Sequence, residues 1–267
     1  MDVLTRNHVN VLDGGPRTLM FGHGFGCDQR MWRRVAPRFA PAHRVVLFDY
    51  VGSGASDKAA YDPRRYRTLD GYAEDVVEVG EALGLEGAVF VGHSVSGMIG
   101  LKAALRAPRL FERVVLVAPS PRYLNDPATG YEGGFERDDV DGLLALMDQN
   151  WLGWASALSG LAVKEADLAE ELRQSFCSTD PRTMREFAVA TFLSDERATL
   201  PRVETPCLVV QCAHDDIAPV AVGEYLRDHL RGASYRMLDA TGHCPQMSHP
   251  DEVTALLAAY LAEPTPA

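Results

Sequence analysis

Short apolar runs rich in β-branched residues alternate along this chain with segments of helical periodicity, and this alternation constrains the fold more than any other feature. Strands that alternate with helices pair in parallel, because each crossover helix returns the chain to the same end of the sheet. The pattern therefore predicts an α/β protein with a mostly parallel central sheet and helices on both of its faces. The predicted strands are Thr18–Gly22, Val45–Asp49, Ala88–Gly92, Val114–Pro119, Cys207–Cys212 and Ser234–Leu238.

The alternation is interrupted between residues 122 and 195, where helix-forming residues and aromatic side chains replace the apolar runs. Pro127, the Gly-rich turn Gly130–Gly134 and the pair Asp180–Pro181 divide this stretch into segments. We therefore predict an inserted helical lid of about four helices at 122–195. It belongs to a single domain, whose α/β core is formed by residues 1–121 and 196–267.

The amino terminus carries two short segments, VLTRN and HVNVL, which we interpret as strands. Two such segments separated by a turn residue are typical of a β-hairpin. We therefore expect an antiparallel hairpin that turns near Asn7.

The composition excludes several classes of function. The formal net charge of −11 repels nucleic-acid phosphates and anionic lipids, and no run of Lys and Arg offsets it. No segment is apolar for long enough to span a bilayer, and MDVLTRNHVN does not resemble a secretion signal. We therefore expect a cytoplasmic protein that binds neither nucleic acid nor membrane.

The cysteines and histidines indicate no cofactor and no metal. The five cysteines are irregularly spaced, without a C-x-x-C pair, which favours reduced thiols over a disulfide framework or a zinc site. The eight histidines form no metal-binding motif either.

The first candidate for chemistry is Ser94, in the segment VFVGHSVSG that joins an apolar run to a helical pattern. This arrangement is typical of a nucleophile elbow, where a strand turns sharply into a helix and lifts a serine hydroxyl above the sheet. The usual G-x-S-x-G motif ends in glycine, whereas this chain has Ser96 there and Gly97 one residue later. Because a Gly-His-Ser sequence can also form an ordinary turn, the interpretation depends on partners elsewhere in the chain.

A serine nucleophile needs a histidine base and a carboxylate that orients the base. Both follow Ser94 in the order serine, acid, histidine: Asp215 comes after one predicted strand and His243 after the next. Asp216 is a rival for the acid, because spacing alone does not separate neighbours. His249 is a weaker rival for the base, since SHPDE is typical of the start of the last helix.

An acyl-transfer site also needs hydrogen-bond donors for the oxyanion. The Gly-rich segment FGHGFG follows the strand Thr18–Gly22, in the loop that supplies one such donor, and the residue after the nucleophile supplies the other. We assign these donors to the amides of Phe25 and Val95. A flexible Gly-rich turn is the alternative for the first segment.

A substrate pocket is expected between the serine loop and the helical lid. Aromatic side chains from both sides are candidates for its lining, although some of them are expected to pack within the core instead. The candidate pocket residues are Phe25, Trp151, Trp154, Phe187 and Phe192.

Five segments carry a resemblance to a known family: HGFGCDQ, FDYVGSGASD, GHSVSGMIG, SPRYLNDP and GHCPQMSHPDE. They are similar to the RsbQ-like bacterial stress-response hydrolases of the α/β-hydrolase superfamily, and to the related plant strigolactone and karrikin receptors. The resemblance implies an α/β-hydrolase fold, a V-shaped helical lid and a buried apolar pocket for a small ligand. Matched position by position, the family's triad falls on Ser94, Asp215 and His243, and its oxyanion donors fall on Phe25 and Val95.

Three functions follow as hypotheses. The first is a serine hydrolase that cleaves a small apolar ester or lactone through an acyl-enzyme. The second, implied by the resemblance, is a sensor of a butenolide-like ligand whose slow hydrolysis is coupled to a signalling protein partner, such as a phosphatase. The third is other cofactor-free chemistry on the same scaffold, and we favour the first because the triad is complete.

Overall fold

A seven-stranded sheet forms the centre of the computed structural model, which describes residues 2–264. Its strands are β1 (Asn10–Leu12), β2 (Thr18–Gly22), β3 (Arg44–Leu47), β4 (Ala88–His93), β5 (Phe111–Val117), β6 (Cys207–His214) and β7 (Ser234–Thr241). They lie in the order β1-β3-β2-β4-β5-β6-β7. The predicted fold class is confirmed.

All strands of the sheet except β1 pair in parallel. The chain moves in one direction from β2 to β3 and in the opposite direction from β3 to β4, so right-handed crossovers place the connections on opposite faces. Every residue of β4 is buried, as expected for a central parallel strand covered on both faces. The carboxyl ends of β4, β6 and β7 consequently meet at one edge of the sheet.

The prediction of an amino-terminal hairpin is wrong. Val3–Arg6 forms a short helix, α1, because the Asp2 side chain accepts a hydrogen bond from the Thr5 amide and caps it. Only Asn10–Leu12 becomes a strand, and it pairs antiparallel with β3. Distant parts of the chain fix this turn, because the Asn7 side chain donates hydrogen bonds to the backbone of Asp49 and to the buried carboxylate of Asp75.

The helices outside the interrupted stretch pack around the sheet. Two of them precede that stretch: α2 (Leu69–Ala82) and α3 (Val95–Arg106). Three follow it: α8 (Val220–His229), α9 (Pro245–Ser248) and α10 (Pro250–Ala262). Short 3-10 segments lie at Gln29–Trp32, Ala36–Phe39, Lys58–Ala60, Arg65–Arg67 and Arg197–Arg202. Within residues 2–264, no helix combines the length and the apolar character needed to cross a membrane.

Four helices fill the interruption between β5 and β6: α4 (Arg137–Gln149), α5 (Trp151–Ala162), α6 (Ala166–Ser178) and α7 (Pro181–Phe192). Local capping defines their starts. Asn150 accepts from the Gly153 amide to begin α5, and Asp180 accepts from the Thr183 amide just before Pro181 begins α7. The division into a core and a lid at 121/122 and 195/196 stays a prediction, whose outermost residues, 1 and 265–267, lie outside the described residues.

Candidate active site

Ser94 lies in the sharp turn between β4 and α3, and its backbone is held in an unusual conformation. Its φ is 56° and its ψ is −123°, a region that residues with a Cβ rarely adopt. Gly92 makes the turn possible, because a Cβ at that position would lie 2.5 Å from the carbonyl oxygen of Ser96. This backbone conformation places the Ser94 hydroxyl at the carboxyl edge of the sheet, at the start of a helix.

Three side chains from three loops form a continuous hydrogen-bonded chain at this edge. His243 Nε2 lies 2.7 Å from Ser94 Oγ, and His243 Nδ1 lies 2.8 Å from Asp215 Oδ2. Asp215 directly follows β6, and His243 follows β7. All three residues are buried. The structure thus brings together the serine, the histidine and the acid that the sequence predicts.

The second oxygen of the Asp215 carboxylate is also fully occupied. Asp215 Oδ1 accepts hydrogen bonds from the amides of Ile217 at 2.8 Å and Ala218 at 3.0 Å. Burial raises the pKa of the Asp215 carboxyl, but the attraction of His243 and these hydrogen bonds outweigh burial and hold the pKa below its ordinary value. An ionised Asp215 leaves the hydrogen of His243 on Nδ1, so Nε2 is free to accept from Ser94.

The two rival residues have other partners. Asp216 is exposed and its carboxylate pairs with Lys164 Nζ at 2.6 Å. His249 ends α9 and begins α10, where its Nδ1 lies 2.8 Å from Ser248 Oγ. Neither residue contributes to the hydrogen-bonded chain at Ser94.

The backbone of His243 is fixed on both sides. Its amide donates to the Ala162 carbonyl at the end of α5, at 2.7 Å. Its carbonyl accepts from His93 Nε2 at 2.8 Å. Burial, with the nearby His243, lowers the pKa of the His93 imidazole to about 3, so His93 is neutral near pH 7 and carries its hydrogen on Nε2. Sequence reasoning placed His93 only as a turn residue.

Tyr123 is a second residue that sequence reasoning missed. Its hydroxyl lies 3.1 Å from Ser94 Oγ, and its side chain is buried. Tyr123 belongs to the segment SPRYLNDP after β5, so only the pairing of β4 with β5 brings it to the nucleophile. The signals in the sequence were its place after a strand that neighbours the elbow and its position in one of the segments that carry the family resemblance.

The loop expected to supply an oxyanion donor lies beside the elbow and is tied to it. Val95 is the first residue of α3, so its amide has no acceptor within the helix. Phe25 lies in the loop after β2, two residues beyond His23. The Ser96 hydroxyl donates to the His23 carbonyl and lies 2.8 Å from the Tyr50 hydroxyl. Serine in place of the motif's last glycine therefore links this loop to the nucleophile helix.

Ser94 and His243 line a small, largely apolar cavity of about 30 Å³ between the core and helices α5 to α7. Its other lining residues are Phe25, Cys27, His93, Tyr123, Leu158, Ala162, Leu172, Phe176, Thr191, Phe192, Ile217 and Cys244. Burial raises the pKa of the Cys27 and Cys244 thiols, which leaves them as neutral, weakly polar parts of the wall. The apolar lining beside the Ser94 hydroxyl suits a small apolar molecule.

The predicted pocket residues fall into two groups. Phe25 and Phe192 line the cavity, whereas Trp151, Trp154 and Phe187 do not. Trp154 and Phe187 pack behind Phe25, with ring centroids 6.2 Å and 5.4 Å from it. Trp151 stacks on Trp154 at 4.9 Å, one layer further out. Trp154 and Phe187 are buried and Trp151 is partly buried, so these rings support the wall of the cavity from the helical layer.

Within the described part of the chain, no group of three or more His, Cys, Asp or Glu side chains is arranged to hold a metal ion.

A strained serine, a histidine and a buried aspartate at the carboxyl edge of a mostly parallel sheet define a hydrolase-type site of the α/β-hydrolase class. Comparison with known proteins agrees with this class. The family model described as "Alpha/beta hydrolase family" matches residues 19–256. The chain belongs to the alpha/beta hydrolase family.

Two relatives and one solved structure are similar over nearly their whole length. The chain is 37% identical to karrikin insensitive 2 receptor CA of Petunia hybrida, covering 96% of this chain and 95% of the relative. It is 37% identical to a strigolactone esterase of Arabidopsis thaliana, covering 96% of each. A hydrolase from Oleispira antarctica has a structure that matches with a TM-score of 0.96 at 40% identity, covering 98% of this chain and 97% of the other. The predicted resemblance to the receptor family is confirmed.

Proposed function

We propose that this protein hydrolyses a small apolar ester or lactone through an acyl-enzyme on Ser94. The observation that carries the proposal is the chain of hydrogen bonds from Ser94 through His243 to Asp215, at 2.7 Å and 2.8 Å, which opens into an apolar cavity. The name of one relative, a strigolactone esterase, supports a carboxylic ester or lactone as the substrate class.

In the proposed reaction, Ser94 Oγ attacks the substrate carbonyl while His243 Nε2 takes its proton. The same proton then goes to the leaving alcohol, or to the ring oxygen of a lactone, and the acyl group stays on Ser94. Water repeats the sequence and releases the acid. Asp215 holds the imidazole in the required tautomer and stabilises it when it is protonated.

The oxyanion formed in each half-reaction is bound by the amides of Phe25 and Val95 in this proposal. The start of α3 supports this role, because a helix amino terminus carries free N–H groups and partial positive charge. Phe25 contributes from the loop after β2, which Ser96 ties to the same helix.

The test is turnover of short p-nitrophenyl esters and a butenolide lactone by wild type and Ser94→Ala. We expect turnover to fall by at least ~10³-fold in Ser94→Ala, because the triad acts as a unit. Circular dichroism and thermal unfolding of the same variant control for folding. Turnover close to wild type in a folded Ser94→Ala protein contradicts the proposal.

The similarity to a karrikin receptor favours a second candidate function. In this alternative the protein is a sensor of a butenolide-like ligand, whose slow hydrolysis is coupled to a protein partner such as a phosphatase. Intact-protein mass separates the two functions. Rapid multiple turnover supports the metabolic hydrolase, and a single persistent adduct on Ser94 with little turnover supports the sensor.

A cytoplasmic location completes the proposal. All five cysteines are free, and four of them are buried, which suits a reducing compartment.

A further inference from the structure

The hydroxyl of Tyr123 reaches the reacting atom of the site. It lies 3.1 Å from Ser94 Oγ, which also lies 2.7 Å from His243 Nε2. The Tyr123 side chain is held in place by its burial and by the ring of Phe192, whose centroid is 5.2 Å away. Ser94 Oγ therefore has two hydrogen-bond partners, one on the base and one on a phenol.

The direction of the second hydrogen bond follows from counting protons. The hydroxyl of Ser94 has one hydrogen, and it is donated to His243 Nε2 because Nδ1 of the same ring donates to Asp215. Tyr123 must then donate to Ser94 Oγ. Burial raises the pKa of the Tyr123 phenol, so the phenol keeps its hydrogen at neutral pH.

We propose that Tyr123 is a further catalytic residue, which accelerates the release of the acyl group from Ser94 by donating a hydrogen bond to Oγ as the acyl–oxygen bond breaks. This inference rests on the proposed acyl-enzyme. The contact is with the nucleophile itself, so Tyr123 acts in addition to the triad and to the two oxyanion amides.

The step balances without any added reactant. Water adds to the acyl carbon and gives one proton to His243 Nε2, which forms a tetrahedral intermediate on Ser94. When the intermediate collapses, the bond between carbon and Oγ breaks, its electron pair moves to Oγ, and Oγ takes the proton from His243. Tyr123 keeps its own proton throughout and stabilises the negative charge that builds on Oγ.

Deacylation gains more from this hydrogen bond than acylation does. In the free enzyme Ser94 Oγ already accepts a hydrogen bond from Tyr123, so this bond is present before acylation begins. It therefore lowers the acylation barrier only by the amount that the bond strengthens in the transition state. In the acyl-enzyme Oγ is an ester oxygen, which is a weak acceptor, and it becomes a strong acceptor as it leaves. An alkoxide is also a poorer leaving group than p-nitrophenolate, so the second half-reaction depends more on stabilising it.

The experiment compares wild type with Tyr123→Phe, using p-nitrophenyl acetate. At saturating substrate, kcat divided by the acetylated fraction of the enzyme gives the deacylation rate constant, and kcat/KM reports acylation. The acetylated fraction is read by intact-protein mass after acid quench. The loss of one neutral hydrogen bond predicts a roughly 3- to 10-fold lower deacylation constant with kcat/KM within about 2-fold of wild type.

Tyr131→Phe is the matched control. Its hydroxyl donates to the Arg122 carbonyl in the same loop region at 2.6 Å, and Ser120 also donates to that carbonyl at 2.9 Å. The side chain of Tyr131 is buried, as that of Tyr123 is, and it has no contact with Ser94. We expect wild-type values for both constants in Tyr131→Phe.

Two results overturn the role of Tyr123. One is an unchanged deacylation constant in Tyr123→Phe, and the other is an equal fall in kcat/KM, which indicates a general disturbance of the site. Failure of the proposed function gives a different result, because wild type then forms no acetyl adduct that Ser94→Ala abolishes.

Discussion

Asp216 pairs with Lys164 at 2.6 Å, while its neighbour Asp215 lies 2.8 Å from the imidazole of His243. Spacing in the sequence does not separate these two carboxylates. The end of β6 does, because the turn after it directs Asp215 into the buried site, where the amides of Ile217 and Ala218 hold its other oxygen. Asp216 is left at the surface, where it pairs with Lys164 from the loop between α5 and α6.

Asp215→Asn is expected to lower kcat for p-nitrophenyl acetate by about 10⁴-fold, because an amide no longer fixes the tautomer of His243 or balances its charge. Asp216→Asn is the matched control and is expected to stay within about 2-fold, since an exposed ion pair contributes little. Steady-state kinetics of the two folded variants decide the assignment. A larger loss in Asp216→Asn moves the acid by one residue.

Much of the fold could be predicted because burial dictates the sequence of central strands. The predicted strand Thr18–Gly22 has the same bounds as β2, and Ala88–Gly92 falls one residue short of β4. Both strands lie inside a sheet that is covered on two faces, so their sequences are continuous apolar runs. The amino-terminal segment VLTRN failed for the opposite reason. A distant network around Asn7 and Asp75 determines its conformation, and local pattern does not report it.

The residues of the site could be predicted where the chemistry requires a particular residue type. They could not be predicted where only the packing of the folded chain brings a residue to the site. Ser94 and His243 could be chosen because the sheet places residues that follow its strands at one edge. Tyr123 and His93 reach the same centre through the pairing of β4 with β5 and through the loop after β7, which no spacing reveals. The sequence pattern could not tell whether Trp151 lines the cavity, because a ring on an inserted helix packs against its neighbours, here Trp154, whether or not it faces a cavity.

Ser96→Ala is expected to lower kcat by roughly 3- to 10-fold with little change in KM, because the loop that carries Phe25 loses its link to the nucleophile helix. The buried carbonyl of His23 and hydroxyl of Tyr50 also lose a partner, so the free energy of unfolding should fall by about 1–3 kcal/mol.

Ser56→Ala is the control for this variant, because Ser56 is buried and its hydroxyl bonds to the Ser53 carbonyl and accepts from the Gly52 amide, away from the elbow. It should lose stability and keep kcat. Equal kcat values for Ser96→Ala and Ser56→Ala in urea-free assays argue that Ser96 is structural only.

Leu158→Ala should shift the preference toward longer acyl chains. Leu158 lines the cavity from α5, and each extra methylene that finds apolar space gains about 0.8 kcal/mol, or roughly 4-fold in kcat/KM. The measurement is kcat/KM for p-nitrophenyl acetate, butyrate and hexanoate. Leu152→Ala on the same helix is the control, because Leu152 is 60% exposed and lies outside the cavity. The same chain-length profile in both variants counts against the assigned cavity.

His93 should make the protein less stable in mild acid. Burial and the neighbouring His243 lower the pKa of His93 to about 3 in the folded state, whereas an unfolded histidine has a pKa of about 6.5. Between these values the unfolded chain binds one more proton than the folded one. The stability from a neutral His93 is therefore complete above about pH 6.5 and falls as the pH drops, by about 1.4 kcal/mol per pH unit.

His93→Gln isolates this contribution, because glutamine does not titrate and its amide can still donate to the His243 carbonyl. The measurement is urea unfolding of both proteins from pH 7 to pH 4. The free energy of unfolding of wild type should fall more steeply than that of His93→Gln, and the difference should have a slope of about one proton below pH 6. The other buried imidazoles, those of His23 and His243, are present in both proteins. Parallel curves over this range would mean that His93 takes up a proton as readily in the folded protein as in the unfolded chain, which contradicts the lowered pKa.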